Sequence, residues 1–501
     1  MMVRRLVIVG AMVVVGALAI ALAVTLLTDK SVEKAQTSSS SEMSGATGKN
    51  STSSSAKSSF DFPTSGSTSA GTVKPGSNSS STAKPESAIT SDPESAWMAA
   101  KFSLHALAIG DWGVSPGGDS CCSKYNKTGV ALYRDEQAQD NVAYLLSLSA
   151  QNLQPKAILS HGDNFYWNGL GKKDAPNRFA DTFEGKYDQK ALEGIPWFNV
   201  MGNHDYGGSA YLCGDEDYNW KECKSQKEME EALESRFKMQ SDYVSPNADR
   251  WKLPSHYYKE TIKDSATGIS VDIYNVDTNA ATVHGAEQVC CQCYGYLGPV
   301  KKTDPDYVNC NTVHRGHKLC FGGDNALFDA CMSKFESWTD DSLKKMLSDA
   351  QESKADWKIV NSHYSPHYHM DPAMMKTWFE ALEKGGVQLF INGHTHAESH
   401  DVSTFNVHFI TNGAGGGIQS ESIGKPPPHV TTVEPVWSGA DSPYGFFELS
   451  FSKEWMRTRF ITFDKQWSFD EDPKKTVKGS ADVQHCWYIP KDGTKGQECT
   501  H

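Results

Sequence analysis

Five short apolar runs along the chain each lead into a loop that carries carboxylate, amide, imidazole or phenol side chains. The runs cover 107–109, 157–159, 197–200, 357–360 and 387–391. Apolar runs of this length are typical of strands buried on both faces. The polar residues of the five loops are Asp111; Asp163 and Tyr166; Asn203 and His204; His363; and His394 and His396. Because such strand ends share one edge of an α/β layer, the pattern predicts a functional site at that edge.

The remaining hydrophobic pattern predicts a single α/β catalytic domain over 100–465. Apolar positions gathered on one side predict helices over 135–148, 178–190, 226–237, 335–355 and 372–384. Strands are predicted over 104–109, 156–160, 195–200, 269–276, 406–411, 446–451 and 458–462. The segment 285–331 holds six cysteines among Gly, Asp and Pro, which predicts an insertion braced by disulfides. A tail over 466–501 is predicted to be pinned by Cys486 and Cys499.

Charge and cysteine content narrow the class of protein. The net charge of −13, with no basic stripe, argues against nucleic acid as a partner. Twelve cysteines, several in local clusters, indicate an oxidising compartment. A zinc knuckle is the rival interpretation of these clusters, but the spacings at Cys121-Cys122 and Cys290-Cys291 with Cys293 match no paired C-x2-C site.

The N-terminal segment predicts export and attachment to a membrane. After Arg4 and Arg5, residues 6–27 carry no charge over 22 positions, enough to cross a bilayer as an uncleaved anchor within 1–30. A cleaved signal peptide, and hence a secreted protein, is the alternative. Residues 31–99 are rich in Ser and Thr and predict a disordered stalk outside the cell or in a lumen. Acceptor sequons for N-glycosylation begin at Asn50, Asn78 and Asn126.

The residue types of the five loops suit two metal ions of different hardness. The oxygen ligands Asp111, Asp163 and Tyr166 suit a hard trivalent ion. Asn203, His363 and His394 suit a borderline divalent ion, while His396 can serve either ion. The two carboxylate oxygens of Asp163 could bridge the pair. Two ions about 3.5–4 Å apart clamp a phosphoryl group and make hydroxide available. His204, next to Asn203, could then donate a hydrogen bond or a proton to the leaving oxygen.

The loops in chain order read D-x-G, G-D-x-x-Y, G-N-H-D, V-x-x-H and G-H-x-H. This pattern closely resembles the purple acid phosphatases, within the calcineurin-like metallophosphoesterases, over about 100–465. The segments 250–254, 276–278 and 445–449 are similar to the short, mammalian-type, tartrate-resistant members. The resemblance implies a four-layer α/β/β/α sandwich.

The resemblance also implies a role for each matched residue. It implies Fe(III) on Asp111, Tyr166 and His396, and a divalent Fe, Zn or Mn on Asn203, His363 and His394. It implies that Asp163 bridges the ions and that His204 contacts substrate.

The sequence departs from the family pattern at two places. The family has a further histidine after the V-x-x-H motif as a proton donor, and here both His367 and His369 follow; the residues alone do not choose, and His367 is the candidate carried forward. The insertion at 285–331 falls where mammalian-type members have a loop over the active site, so we expect a lid that selects among phosphoesters. Its histidines, His314 and His317, are predicted to lie on the surface rather than to bind metal.

These observations favour hydrolysis of phosphate monoesters at acidic pH by a monomeric, membrane-tethered enzyme. Its partners would be the phosphate-ester substrate and the membrane. A phosphodiesterase or pyrophosphatase with the same metals is the first alternative, since the shape of the cavity wall decides between them. A catalytically silent surface protein is the second, and the complete set of ligand-type residues argues against it.

Overall fold

Two mixed β-sheets form the centre of the folded part of the chain. The computed structural model describes residues 101–114, 137–208, 212–216, 219, 221–291, 312–418, 423–440, 443–469, 473–476 and 478–499. All of them belong to the unit Ala88–His501. The predicted anchor, stalk and sequons, the cysteines at 121, 122, 293 and 310, and the middle of the predicted insertion lie outside the described residues.

The described strands, in chain order, are β1 (Leu104–Ile109), β2 (Ile158–Ser160), β3 (Trp197–Asn199), β4 (Trp251–Lys252), β5 (Tyr258–Lys263), β6 (Ser270–Asn275), β7 (Trp357–Asn361), β8 (Leu389–Asn392), β9 (Glu398–Ser403), β10 (His408–Asn412), β11 (Val433–Ser438), β12 (Phe446–Phe451), β13 (Trp455–Phe463), β14 (Ala481–Pro490) and β15 (Gln497–Glu498). Within the described residues the first sheet has the order β15-β14-β13-β12-β1-β2-β3-β4, and the second has the order β11-β9-β10-β8-β7-β6-β5.

The described α-helices, in chain order, are α1 (Ala138–Leu153), α2 (Ala175–Arg178), α3 (Asn203–Tyr206), α4 (Gln226–Ser241), α5 (Ala286–Cys291), α6 (Asn325–Glu352), α7 (Pro366–His369) and α8 (Pro372–Gly385). A π-helix covers Phe179–Glu184, and short 3-10 helices cover Lys190–Leu192 and Phe321–Gly323.

The sheets pack face to face and helices cover their outer sides. Alternate residues of β1 show this: Ala106 and Ala108 join the core between the sheets, whereas Leu107 and Ile109 pack outward in a second core with residues of α1. The outer side of the second sheet packs on α6 and α8 in a third core. This arrangement confirms the predicted four-layer α/β/β/α sandwich.

Parallel pairing brings the five polar loops to one edge. β1, β2 and β3 run parallel in the first sheet, as do β6, β7 and β8 in the second. The loops that carry the predicted site residues follow β1, β2, β3, β7 and β8. Neighbouring parallel strands end on the same side of a sheet, so these loops are adjacent.

The helix predicted over 335–355 begins earlier, at Asn325. The Asp324 side chain caps it by accepting hydrogen bonds from Ala326 N at 2.9 Å and Leu327 N at 3.2 Å. The last residues of the predicted insertion, 325–331, therefore form the first turns of α6. Two disulfides, Cys290–Cys331 and Cys291–Cys320, confirm that the described parts of this segment are braced.

The single helix predicted over 178–190 is wrong. The chain instead turns from α2 into the π-helix Phe179–Glu184 and then leaves helical structure at Gly185, a residue with poor helix propensity. The wider turn buries both Phe179 and Phe183 in the core that faces α1. A pattern count with a period of 3.6 residues cannot detect such a local change of pitch.

The C-terminal segment adds strands to the first sheet. β14 pairs with β13 from Trp455↔Pro490 to Phe463↔Ala481, and the Cys486–Cys499 disulfide ties β14 to the segment that carries β15. The sheet therefore continues beyond residue 465, the predicted end of the catalytic domain. Among the described residues, none of the helices combines the length and the apolar character that a bilayer span needs.

Candidate metal centre

Three of the predicted ligands lie in tight left-handed turns. Asp111, Asp163 and His394 have φ angles of 57°, 51° and 67°. Non-glycine residues adopt this region at a conformational cost, and it is found disproportionately at functional sites. The backbone also passes very close to the carboxylates: a Cβ on Gly202 would lie 2.2 Å from Asp163 Oδ1, and one on Gly393 would lie 2.2 Å from Asp111 Oδ2. Both glycines are required by this close approach.

Asp111, Asp163 and His396 form one group of possible ligands, with their ligand atoms within 4.8 Å of one another. The Tyr166 hydroxyl joins this group, 3.2 Å from Asp111 Oδ1 and 3.3 Å from His396 Nε2. The backbone N–H of His394 donates to both oxygens of Asp111, at 3.1 Å and 3.0 Å. The side chains of Asp111, Asp163 and Tyr166 are fully buried or nearly so.

Asp163, His363 and His394 form the second group, and Asn203 lies beside it. His363 Nε2 lies 3.0 Å from Asn203 Oδ1, and His394 Nδ1 lies 3.1 Å from the same oxygen. His363 Nδ1 lies 2.7 Å from the carbonyl oxygen of His161, so Nδ1 carries the hydrogen and Nε2 has a lone pair. Lone pairs of His363 and Asn203 therefore face each other, an arrangement that a shared cation would stabilise.

The residues present fit a pair of cations. Asp163 belongs to both groups, and its Oδ2 is a buried atom without a hydrogen-bond partner in the described structure. Buried polar atoms are almost always paired, so this oxygen indicates a missing electropositive partner. The observed donor set combines carboxylate, phenol, amide and imidazole atoms, which is suited to metal binding.

The electrostatics of the protein without metal agree with this fit. Burial, followed by the neighbouring Asp163 carboxylate, raises the pKa of Asp111 well above its usual range, and burial also raises the pKa of Asp163. Burial lowers the pKa of His363 to about 4 and that of His396 to about 3, so both imidazoles are neutral and have lone pairs available. A bound cation would favour the ionised carboxylates and relieve their mutual repulsion.

Asp205 connects the loops that carry Asp163 and Asn203. Its Oδ2 accepts a hydrogen bond from Gly202 N at 2.8 Å, and its Oδ1 accepts from Asn164 N at 3.0 Å and Phe165 N at 3.1 Å. Gln240 Nε2 donates to Oδ1 at 3.0 Å. Burial, followed by the Asp163 charge, raises the pKa of Asp205 to about 7. The sequence placed Asp205 inside the G-N-H-D motif without assigning it this supporting role.

A cavity of about 410 Å³ opens onto the two groups and is lined by Asp163, Asn203, His204, His394 and His396 among other residues. His204 Nδ1 lies 2.7 Å from the carbonyl oxygen of Trp167, so this nitrogen is the donor and Nε2 is the atom suited to a substrate contact. Burial lowers the pKa of His204, while the Asp163 carboxylate acts in the opposite direction.

The structure does not place His367 at the cavity. Its ring is fully buried, with Nδ1 2.9 Å from Ser365 Oγ and Nε2 3.1 Å from Asp401 Oδ2. His369 lines the cavity instead, and its ring centroid lies 4.8 Å from that of His394. The choice of His367 is corrected to His369, because the short helix α7 turns these two side chains in different directions. His314 is exposed and His317 is partly exposed, away from the two groups.

Two residues that the sequence analysis did not single out also border the site. The Tyr364 hydroxyl lies 2.9 Å from Asn203 Oδ1. Its position directly after His363 was a usable signal, since a strand-end loop holds both. His284 lines the cavity from the segment that follows β6. No local motif marks His284, and only the tertiary fold brings it to the site.

Two facing mixed sheets with two such ligand groups at their common edge define a metallophosphoesterase. A family model described as calcineurin-like phosphoesterase matches residues 104–398. The chain belongs to this family, and membership implies a binuclear metal centre and phosphate-ester substrates.

Individual relatives are distant. The chain is 24% identical to tartrate-resistant acid phosphatase type 5 of Oryctolagus cuniculus over 316 residues, which cover 62% of this chain and 73% of that protein. It is 25% identical to purple acid phosphatase 3 of Arabidopsis thaliana over 314 residues, 62% of each chain. Among solved structures, GAP50, the anchor in the inner membrane complex of Plasmodium, has a TM-score of 0.45 at 17% identity and covers 77% of this chain and 90% of that chain. The chain is a hydrolase-family protein similar to the purple acid phosphatases.

Proposed function

We propose that the protein is a purple acid phosphatase that hydrolyses phosphate monoesters at acidic pH with an Fe(III)–M(II) pair, where M is Fe, Zn or Mn. The observation that carries this proposal is the position of Tyr166, whose hydroxyl lies 3.2 Å from Asp111 Oδ1 and 3.3 Å from His396 Nε2. A phenol oxygen within a group of hard ligands favours a trivalent ion. The family likeness to tartrate-resistant and purple acid phosphatases supports the same conclusion.

Each ion would have its own set of side chains. Asp111, Tyr166 and His396 would hold the trivalent ion, and Asp163 would be shared. The divalent ion would be held by Asn203, His363 and His394. When bound, the pair supplies Lewis acidity toward the phosphoryl group and activates water.

The chain itself would position the ester and handle the proton. The Trp167 carbonyl fixes the hydrogen of His204 on Nδ1, which directs Nε2 to the substrate. In its protonated form, this imidazole can donate a hydrogen bond or a proton to the leaving oxygen. His369, which lines the same cavity, takes the place of the family's further histidine in this proposal. Its Nε2 lies 3.1 Å from Thr395 Oγ1, which orients the ring.

The test combines metal analysis with visible spectroscopy of the purified protein. We expect one iron per chain and a visible absorption band from a tyrosinate bound to Fe(III), which Tyr166→Phe should remove. Tyr364→Phe is the matched control, because this second buried tyrosine contacts Asn203 of the other ligand group and should leave the band in place. A monoester such as p-nitrophenyl phosphate should be hydrolysed faster than the corresponding diester. A colourless protein with two divalent ions and no iron would contradict the proposal.

We extend the proposal to a membrane-tethered enzyme facing the cell exterior or a lumen. The uncharged run at 6–27 and the export-type stalk support the tether, and the four described disulfides support folding in an oxidising compartment. Extraction of membranes with alkaline carbonate should leave the full-length protein in the pellet, and its release would argue for the secreted alternative.

A further inference from the structure

The segment between β6 and α5 brings one imidazole to the cavity from outside the five motif loops. His284 lines the cavity with a φ of 59°, and its ring centroid lies 6.0 Å from that of His394. The side chain reaches solvent in the cavity, while the protein crowded around it lowers its pKa through desolvation. His204 lies elsewhere in the same cavity, with its ring centroid 4.6 Å from that of Tyr166. The two histidines thus neighbour different ligand groups.

The backbone of this segment is fixed to the residues around the second ligand group. Val283 N donates to the carbonyl oxygen of His369 at 2.8 Å, and Thr282 Oγ1 donates to the same oxygen at 3.3 Å. The Tyr364 hydroxyl lies 2.7 Å from the carbonyl oxygen of His284. His284 is therefore held in register with His369 and His394 rather than carried on a free loop.

The segment is also fixed on its C-terminal side. α5 follows directly, and its two last residues form the Cys290–Cys331 and Cys291–Cys320 disulfides. All four of these cysteines are fully buried. Gln288, on α5, lines the same cavity. The backbone at His284, held by hydrogen bonds on one side and by disulfides on the other, is therefore preorganised to present the imidazole to the cavity.

A phosphate ester bound in the cavity would require hydrogen-bond donors from the protein. A phosphoryl group held between two ions keeps oxygens that point into the cavity, and each can accept hydrogen bonds. Among the described residues that line the cavity there is no lysine or arginine. A neutral imidazole has one N–H donor, so a histidine can meet this need without being protonated. His284, which lies outside the motif loops, offers such a donor beside His394.

We propose that His284 is a substrate-binding residue, which donates a hydrogen bond to a phosphoryl oxygen on the side of the cavity next to His394. The inference rests on the proposed function only in that it requires a metal pair able to bind phosphate. The N-terminal end of the cysteine-rich segment would thus bind substrate directly, in addition to any effect that the segment has on access to the cavity.

Binding of inorganic phosphate to the metal-loaded, full-length protein tests this directly. Calorimetry would compare the unaltered protein with His284→Ala and His284→Gln, with metal content measured for each. His314→Ala is the matched control, since this exposed histidine of the same segment contacts Glu287 and does not line the cavity. Loss of one hydrogen bond to a charged group predicts phosphate binding weaker by about 10- to 100-fold in His284→Ala. His284→Gln, which keeps an N–H donor, should recover most of the affinity.

The outcomes separate this inference from the proposed function. Phosphate affinity unchanged in His284→Ala overturns the inference, as does loss of metal in that variant or failure of the Gln variant to recover binding. A protein that binds two divalent ions, has no colour and still shows the predicted loss in His284→Ala would refute the iron assignment and support the role of His284. In steady-state assays, the supporting result is a raised KM for monoesters with a smaller change in kcat.

Discussion

Substituting Asn for Asp205 should show that this carboxylate holds the two halves of the site together. Asp205 is fully buried and makes no contact with the cavity. An Asn side chain has nearly the same shape but exchanges one acceptor oxygen for an NH₂ group. In the orientation that keeps the oxygen toward Asn164 N and Phe165 N, the NH₂ group would face the N–H of Gly202, whose nitrogen now lies 2.8 Å from Oδ2.

The expected loss of stability follows from this contact between two hydrogen-bond donors. The hydrogen bond from Gly202 N is lost, which costs about 1–3 kcal/mol for a buried bond to a carboxylate. The Gly202 N–H is then left without an acceptor in the interior, and relaxation of the turn recovers part of the penalty. We expect a loss of about 2–4 kcal/mol in the free energy of unfolding. Because Gly202 lies against Asp163, movement of this turn should also weaken metal binding.

Urea unfolding of the metal-free protein above pH 7, where the Asp205 carboxylate is ionised, gives the change in the free energy of unfolding, and metal titration gives the change in metal affinity. Asp341→Asn is the matched control: this aspartate lies on α6, its side chain is 60% exposed, and its ion pair with Lys345 at 2.6 Å should contribute less than about 0.5 kcal/mol. An Asp205→Asn protein whose free energy of unfolding lies within about 0.5 kcal/mol of that of the unaltered chain, and which binds metal equally well, would refute the reasoning.

Three further predictions concern residues that do not line the cavity, in a histidine cluster and a disulfide. His400, His408 and His485 form a buried chain of hydrogen bonds, and burial lowers the pKa of His408 and of His485 to about 4. The neutral imidazoles contribute their full stabilisation above the unfolded-state pKa of about 6.5, and this stabilisation is lost as the pH falls toward 4. At pH 5 the loss is about 2 kcal/mol for each of His408 and His485. The free energy of unfolding of His485→Gln should therefore depend less steeply on pH between about 6.5 and 4, and an unchanged slope would contradict this. Replacing Cys291 and Cys320 with Ser opens a loop with a sequence separation of 29 and should cost about 3–4 kcal/mol. If the insertion acts as a lid, the same variant should gain activity selectively on bulky esters, and equal rates on small and bulky esters would argue against a lid.

The chemistry of the site was largely readable from the sequence because each polar group stands directly after a buried strand. Once the strands pair in parallel, the loops that follow them meet at one edge of the sheet, and this fixes where such residues lie. Asp111, Asp163, Asn203, His363, His394 and His396 come together in this way, with Tyr166 beside them. Their roles as metal ligands stay predictions until metal is measured.

Side-chain direction was the part that the sequence could not supply. His367 and His369 lie in one short helix, α7, and only packing decides that His369 turns to the cavity while His367 turns to Asp401. His284 is more remote still, because its approach depends on the tertiary contact between the segment after β6 and the loop after β7. The extent of β14 was missed because most of its residues are polar or at least partly exposed, as expected of a strand near a sheet edge.

Buried polar contacts cross from one sheet to the other directly beneath the loops of the candidate metal centre. His161, just after β2, places Nδ1 2.6 Å from Asn361 Oδ1 at the end of β7, and its Nε2 lies 3.0 Å from Asn412 Nδ2 at the end of β10. Asn361 Nδ2 in turn donates to the carbonyl oxygen of Phe198 in β3 at 3.0 Å. All of these groups are buried, and burial lowers the pKa of His161 to about 3, so the network stays neutral across the acidic range. Each ligand group takes side chains from loops of both sheets, such as Asp111 with His396 and Asn203 with His363, so each group keeps its geometry only if the two sheets stay fixed relative to each other. The geometry of the candidate metal centre therefore depends on residues that belong to neither ligand group and do not line the cavity.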